Sequence, residues 1–422
     1  MTGLSLAAEW LDADDVSTPE LRATWARVAI SVGSQPSTLI RDRSGNLRDG
    51  IYAPAYPLAE WLAFNWWIVV SPAAITRRSQ PKLADAGQGF PWPNLAFIAE
   101  RDAILVEQSP VRNYLDRVER LGSIREILDR EETVHELRVF VQNVVDRLHQ
   151  LGIQDTPLQR EWAWLAELTP EEAEFSQIAG SLGHDPRNID DSLADAILRA
   201  AEAIQDADIL LDLVQGSWAD SLETDASWVR AGIGALDRHA ASSARTSEIE
   251  ALRSDLATID GHEPGELDLE QPWELGFARA RRVREIAGFG AMEPLPIHEF
   301  VATVEVQGEP SVGIDGVGRA SGAIRLAVPG NRPQDNLNFS AARMLSRGLF
   351  MPNARAQVVS RTRSVQDRVE RAFAAELLAP AEGIQERLGG NFTPRSIAAV
   401  AATYGVSTMV IEHQVENRHL LN

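Results

Sequence analysis

Apolar positions along the chain fall into two kinds of spacing. Between residues 26 and 56 they come in short β-rich runs, RVAISV and STLIRD, separated by the turn-forming RSGN. Such runs bounded by turn residues predict short strands. PLAEWLAFNWWIVV (57–70) opens on proline and sets Leu58, Trp61, Leu62 and Trp66 at helical spacing, which predicts a helix. The Trp66–Trp67 pair is expected in the core rather than in a ligand cage. PWPNLAFIAERDAILVEQS (91–109) reads as two strands, and from 118 to 215 the pattern is helical. TVHELRVFVQNVVDRLHQLGI repeats apolar residues at i, i+3 and i+4, the stripe of an amphipathic helix. SLGHDPRNIDDSLADAIL (181–198) reads as a helix end, a turn and a new helix; in so acidic a segment the pair is expected to be scaffold rather than a DNA-reading motif.

Residues 240–272 are polar and read as an exposed loop or linker. PWELGFARARRVREIAGF (272–289) predicts an amphipathic helix closed by glycine. GIDGVGRASGAIRLAVPG (313–330) predicts turns around short strands. Its glycines are read as turn glycines, because no Gly-Lys-Ser/Thr follows and the next segment is a strand. Residues 339–349 and 364–379 predict two helices, followed by a helical group to 422. There is no internal repeat. The fold class expected is α+β, mostly helical: an N-terminal strand/helix module (1–115), a helical middle (116–239), a polar linker (240–271) and a C-terminal domain (272–422). A length of 422 residues exceeds what one ordinary core serves.

Charge narrows the partners. The formal net charge is −21, and an acidic surface repels phosphate backbones, so direct nucleic-acid binding is disfavoured. The balance is uneven: Asn331–Asn422 holds eleven arginines against eight acids, leaving −24 on the preceding residues. The C-terminal quarter is thus the part suited to an anionic contact. With no cysteine, disulfides, Cys-ligated zinc and thiol catalysis are excluded. Lys82 is the one lysine, so nearly every cation is arginine. The N-terminus lacks a basic region and turns acidic, unlike a signal peptide. The most apolar window, 61–75, is too short to span a bilayer. A cytoplasmic protein with no membrane partner is expected.

The candidate chemistry sits in FSAARMLSRGLF (339–350), RAFAAELLAP (371–380) and SIAAVAATYGVSTMVIEHQVENRHLL (396–421). Together these segments resemble the ImmA/IrrE metallopeptidase family. Members show a Phe-Thr-x-Ala-His-Glu-Leu-Gly-His helix. A second helix ends in Phe-Ala-x-x-Leu-Leu-x-Pro and carries an acidic third zinc ligand, and a small helical segment containing Val-Ser follows. Phe339, Ser340, Ala342, Leu345, Phe373, Ala374, Leu377, Leu378, Pro380, Val406 and Ser407 fit in register. The resemblance implies a zincin-like C-terminal domain and a zinc cofactor. The motif itself is replaced. Arg343 and Arg347 stand at the two histidine positions, and Met344 stands at the glutamate. Arginine stays protonated and offers no lone pair to a metal, and methionine cannot act as a general base. On the third-ligand helix, Asp367 and Glu370 are both present and neither is singled out. No catalytic or metal-ligating residue is therefore assigned, and no cofactor is expected.

Zinc elsewhere finds no support in the sequence. His135, His149 and His298 lack a partner in range, His413 and His419 are six apart, and His184, His239 and His262 are isolated. Two roles remain for the arginines. They could pair with Asp367, Glu370 or Glu376 on the facing helix. Alternatively, Arg343, Arg347, Arg355, Arg361 and Arg363 could gather around an anion or a partner's acidic segment. The VSTMVIEHQVENRHLL end is expected to be a structural helical hairpin. What the resemblance implies for function is a non-catalytic protein-binding or sensing component in stress response, mobile-element regulation or phage defence. Its partner would be a repressor, a toxin or a neighbouring-gene product. The alternative is an active metallo-endopeptidase with a rearranged zinc site that cleaves a repressor.

Overall fold

A computed structural model describes residues 3–74, 80–111, 118–238, 246–259, 271–352, 355–362 and 364–417. Tertiary contacts divide the chain into two compact units, Met1–Ala194 and Asp195–Asn422. The division falls inside the segment 116–239 rather than at either of its ends. The architecture is α+β, with a strand-rich N-terminal region and a largely helical middle and C-terminal region.

The first unit contains β1 (Leu4–Trp10), α1 (Pro19–Ala23), β2 (Trp25–Val32), β3 (Gln35–Pro36), β4 (Ile40–Asp42), β5 (Leu47–Arg48) and β6 (Ile51–Pro54). Then follow α2 (Tyr56–Phe64), α3 (Trp66–Val70), β7 (Ala96–Ala99), β8 (Ala103–Gln108), β9 (Val118–Arg120) and β10 (Ile124–Asp129). The unit closes with α4 (Arg130–Gln150), α5 (Pro157–Glu167), α6 (Pro170–Leu182) and the start of α7 (Asp191–Ile204). Strict alternation makes β2 a strand: Ala26, Val28, Ile30 and Val32 are buried while their neighbours are half-exposed. Its antiparallel partners are β1 on one side and β3 and β6 on the other. The strand β1 was not anticipated from the sequence. The expected helix at 57–70 is present but breaks at Asn65, whose side-chain amide donates to the Trp61 carbonyl at 2.8 Å. Trp66 is buried edge-on against Trp162, with ring centroids 5.4 Å apart, as the core reading requires. The helical expectation for 118–215 fails at its start, where β9 and β10 pair with β4 and β8. Ile124 and Leu128 bury themselves against the first core, and this tertiary pairing overrides local pattern.

The second unit contains α8 (Ala207–Gly216), α9 (Leu222–Arg238), α10 (Thr246–Ile259), α11 (Pro272–Ile286), α12 (Ile297–Phe300), β11 (Val301–Val306), β12 (Ile314–Arg319) and β13 (Ile324–Pro329). After these come α13 (Gln334–Phe350), β14 (Ala356–Ser360), α14 (Val365–Leu378), α15 (Ala381–Leu388), α16 (Pro394–Tyr404) and α17 (Thr408–Asn417). The sheet order is β11-β13-β12-β14, with β11 parallel to β13 and the other pairs antiparallel. The expected loop at 240–272 is partly helix: Ile249, Leu252 and Leu256 of α10 are buried in the second core. The rest of that stretch, 240–245 and 260–270, lies outside the described residues.

Two of the glycines read as turn residues lie within β12. A Cβ on Gly316 would meet the Ala327 carbonyl, and one on Gly318 would meet the Met344 sulfur. They permit close approach rather than a turn. The strand packs against α13, which is buried on nearly every side: residues 340–346, 348 and 349 are all enclosed. A helix covered all round belongs at the centre of its domain.

Candidate functional site

The site grows from side chains that regular geometry sets on shared faces. Arg343 and Arg347, four apart on α13, project from one side of that helix. Asp367, Glu370 and Arg371 stand on the first turns of α14 facing it. That helix is started by Ser364, whose Oγ accepts the Asp367 N–H at 3.0 Å, an N-cap that fixes where Asp367 sits. Asp315 comes from β12.

Arg343 is the centre. It is 1% exposed, and its two terminal nitrogens make four contacts. Nη1 donates to Asp315 Oδ2 at 3.0 Å. Nη2 donates to Asp367 Oδ1 at 2.6 Å, to the Ser360 carbonyl at 2.7 Å and to Glu370 Oε2 at 3.3 Å. Arg347 donates from Nε to Glu370 Oε1 at 2.8 Å and from Nη1 to the Val358 carbonyl at 2.8 Å. Gln366 also donates to Glu370 Oε1, at 3.2 Å. Arg371 Nε forms an ion pair with Asp367 Oδ2 at 3.0 Å. Asp315 Oδ1 accepts from Arg332 Nη1 at 2.6 Å and from Arg361 Nε at 2.9 Å.

The Val358 and Ser360 carbonyls belong to β14, the last strand of the sheet. Residues two apart present their carbonyls on the same side of a strand. The two arginines therefore satisfy consecutive outward carbonyls of this sheet edge, which are the groups an added strand would use.

The ionisation of the cluster follows from burial set against counter-charge. Burial works against the charge on Arg343, but Asp367, Glu370 and Asp315 outweigh it and raise its pKa further. Burial pushes the Asp315 carboxyl up, and Arg343, Arg361 and Arg332 more than reverse this, holding it below the usual carboxylate range. Glu370 behaves likewise: burial is overcome by Arg347 and Arg343. Asp367 goes the other way. Its burial, with the Glu370 charge nearby, exceeds the help from Arg343 and the half-exposed Arg371, so its pKa is raised.

The structure thus brings Arg343, Arg347, Asp367, Glu370 and Arg361 together. It leaves other expected members apart. Met344 is fully buried in the apolar core. Glu376 is buried but accepts from Gln414 at 2.9 Å rather than from either central arginine. Arg355 pairs with Asp208 at 2.6 Å on the surface. Arg363 lies outside the described residues, as do His239, His262 and His419. Sequence reasoning missed Asp315, Arg332 and Arg371. Asp315 sits among glycines in a stretch read as turns, and nothing local marks it as the counter-ion of a residue 28 positions away.

A zinc ion does not fit this donor set. Two of the implied ligand positions carry guanidinium groups, and every carboxylate oxygen of Asp315, Asp367 and Glu370 is already paired with one. Among the described residues no group of three or more His, Cys, Asp or Glu side chains is arranged to hold a metal. Nor is any described helix long and apolar enough to cross a membrane. No protein-family model matches the chain, and no curated protein is detectably similar to it in sequence.

Proposed function

We propose that this chain is a non-catalytic relative of the ImmA/IrrE metallopeptidases. In this reading, a helix pair that once held zinc is now held together by arginine. The observation that carries the reading is the buried position of Arg343. It stands where the resemblance requires a zinc-binding histidine, and its guanidinium is surrounded by Asp315, Asp367 and Glu370. A buried cation meeting several carboxylates supplies the charge balance a metal would otherwise provide. The zincin-like ancestry of the sheet and of α13–α14 belongs to this proposal.

On this reading the protein acts in the cytoplasm as a protein-binding or sensing component of stress response, mobile-element control or phage defence. It engages a repressor, a toxin or a neighbouring-gene product without cutting it. The partner does not enter by adding a strand across Val358 and Ser360, because the arginines already occupy those carbonyls. The test is to mix the purified full chain with each neighbouring-gene product, following co-elution and integrity by mass spectrometry. Co-elution with an intact partner is expected. Chelator-sensitive cleavage would establish the alternative, an active metallo-endopeptidase. Failure of every candidate to bind would remove the proposal.

A further inference from the structure

We propose that Arg332 and Arg361 form an oxyanion site at the rim of the buried cluster, suited to a phosphate group. The argument begins with a count. Arg332, Arg343, Arg347, Arg361 and Arg371 face only Asp315, Asp367 and Glu370, five cations against three anions. The inner part is well matched, since Glu370 serves Arg347 and Asp367 serves Arg343. One surplus positive charge is therefore left at Arg371 beside Asp367, and the other at the rim, where Arg332 and Arg361 share Asp315.

The rim is also where donors are left over. Arg332 and Arg361 donate to the same oxygen, Asp315 Oδ1, while Oδ2 is taken by Arg343. Three guanidinium groups thus share one carboxylate, and two of them are held side by side against their mutual repulsion. Arg332 spends its other terminal nitrogen on the Ile314 carbonyl at 2.6 Å. Arg361 spends only Nε, and its Nη1 and Nη2 have no hydrogen-bond partner among the described residues. Its side chain is 41% exposed. Other arginines of this unit spend their forks on backbone: Arg253 on the Gly348 and Ala320 carbonyls, Arg284 on Leu377, Gly290 and Glu293. Arg361 instead combines an unspent fork with a local charge surplus beside a second guanidinium.

A guanidinium fork fits two oxygens of a phosphate. A bound phosphate would neutralise the surplus charge that Arg332 and Arg361 share and relieve the repulsion between them. An extended polyanion is a poor ligand, because the chain carries −21 overall and would repel it beyond the notch. The phosphate is therefore free in solution or carried as a monoester on a small molecule. The site stands independently of the family reading above.

Calorimetric titration of the full chain at low salt decides the matter, with inorganic phosphate first and phenyl phosphate second. Saturable 1:1 binding that weakens as sodium chloride is added is expected. Arg361→Gln should weaken it by roughly tenfold or more, and Arg361→Lys, which keeps the charge but loses the fork, by less. Arg355→Gln, altered at the separate Asp208 pair, should bind as wild type. Tighter binding of the monoester would identify a phosphorylated small molecule as the ligand; equal or weaker binding would identify free phosphate. No saturable heat from either ligand in the wild-type chain would overturn the proposal, as would unchanged affinity in folded Arg361→Gln.

Discussion

A guanidinium removed from water must find its counter-charges inside the fold, and Arg343 finds three. This makes it both the anchor of the cluster and its weak point. Arg343→Ala would leave Asp315, Asp367 and Glu370 buried with one fixed cation fewer. Breaking a buried pair from one side costs roughly 3–5 kcal/mol, and urea unfolding should show a loss of that order. Arg343→Lys should recover only part of it, because one ammonium cannot span the Asp315 carboxylate, the Asp367 carboxylate and the Ser360 carbonyl. The pH dependence follows from the same contacts. Asp315 and Glu370 have lowered pKa values. In the window between their folded values and the ordinary carboxylate range, the unfolded chain binds more protons than the folded one. Their contribution is complete above that range and is lost as pH falls through it. Asp367, raised by burial, has the opposite sign: the folded chain binds the extra proton just above the ordinary aspartate value, so this group favours the fold as pH falls. Asp367→Asn should therefore abolish a gain in stability on mild acidification, whereas Glu370→Gln should flatten the acid loss below it. Urea midpoints measured from neutral pH to about pH 3 distinguish the two. The same midpoint profile for both variants would refute the assignment.

At the scale of elements, the helix pair was legible and its surroundings were not. The sequence reading has helices at 339–349 and 364–379, and the structure has Gln334–Phe350 and Val365–Leu378. Asp367 and Glu370 could be set opposite Arg343 and Arg347 only through the family resemblance, which implies a second, acid-bearing helix facing the first. Asp315 could not, since it reaches Arg343 through sheet order, which local pattern does not encode. The strand β14 was hidden for a related reason: AQVVS is too short to separate from a loop until β12 pairs with it. Close packing was equally unreadable at Gly276, one small residue inside the amphipathic helix expected at 272–289. In the fold it is the crossing point of α11 on α14, where a Cβ would run into the Val369 carbonyl and Ala372. Backbone cannot yield as a side-chain end can, so Gly276→Ala should destabilise by about 1–3 kcal/mol, although alanine is intrinsically the better helix former. Thermal denaturation tests this directly. A neutral or stabilising result would mean that α11 and α14 stand further apart than the structure has them.

At the scale of the whole molecule, the two units have separate cores. One runs from Leu4 to Trp162 and the other from Ile249 to Val415, with no shared member. The cluster lies wholly in the second, and every group that binds Arg343 or Arg347 comes from residues 315–370. The second unit should therefore fold and keep its cluster as a fragment beginning at Asp190. That start retains the Asp190 carboxylate that accepts the Leu193 N–H at 2.9 Å and begins α7. The fragment should unfold in one cooperative transition, and Arg343→Ala should shift that transition by the same free energy as in the full chain. Chelator provides a further check. In a protein whose fold depends on a bound metal, the metal's binding energy is part of its folding energy, and chelation lowers the melting temperature. Here the cations at the centre of the helix pair are arginines and cannot be extracted. EDTA should thus leave the melting temperature of both fragment and full chain unchanged within about 1 °C, whereas Arg343→Ala lowers it by several degrees. If EDTA lowered the melting temperature of the wild type while Arg343→Ala did not, a metal rather than the guanidinium would be holding α13 to α14, and the reading of this cluster would have to be reversed.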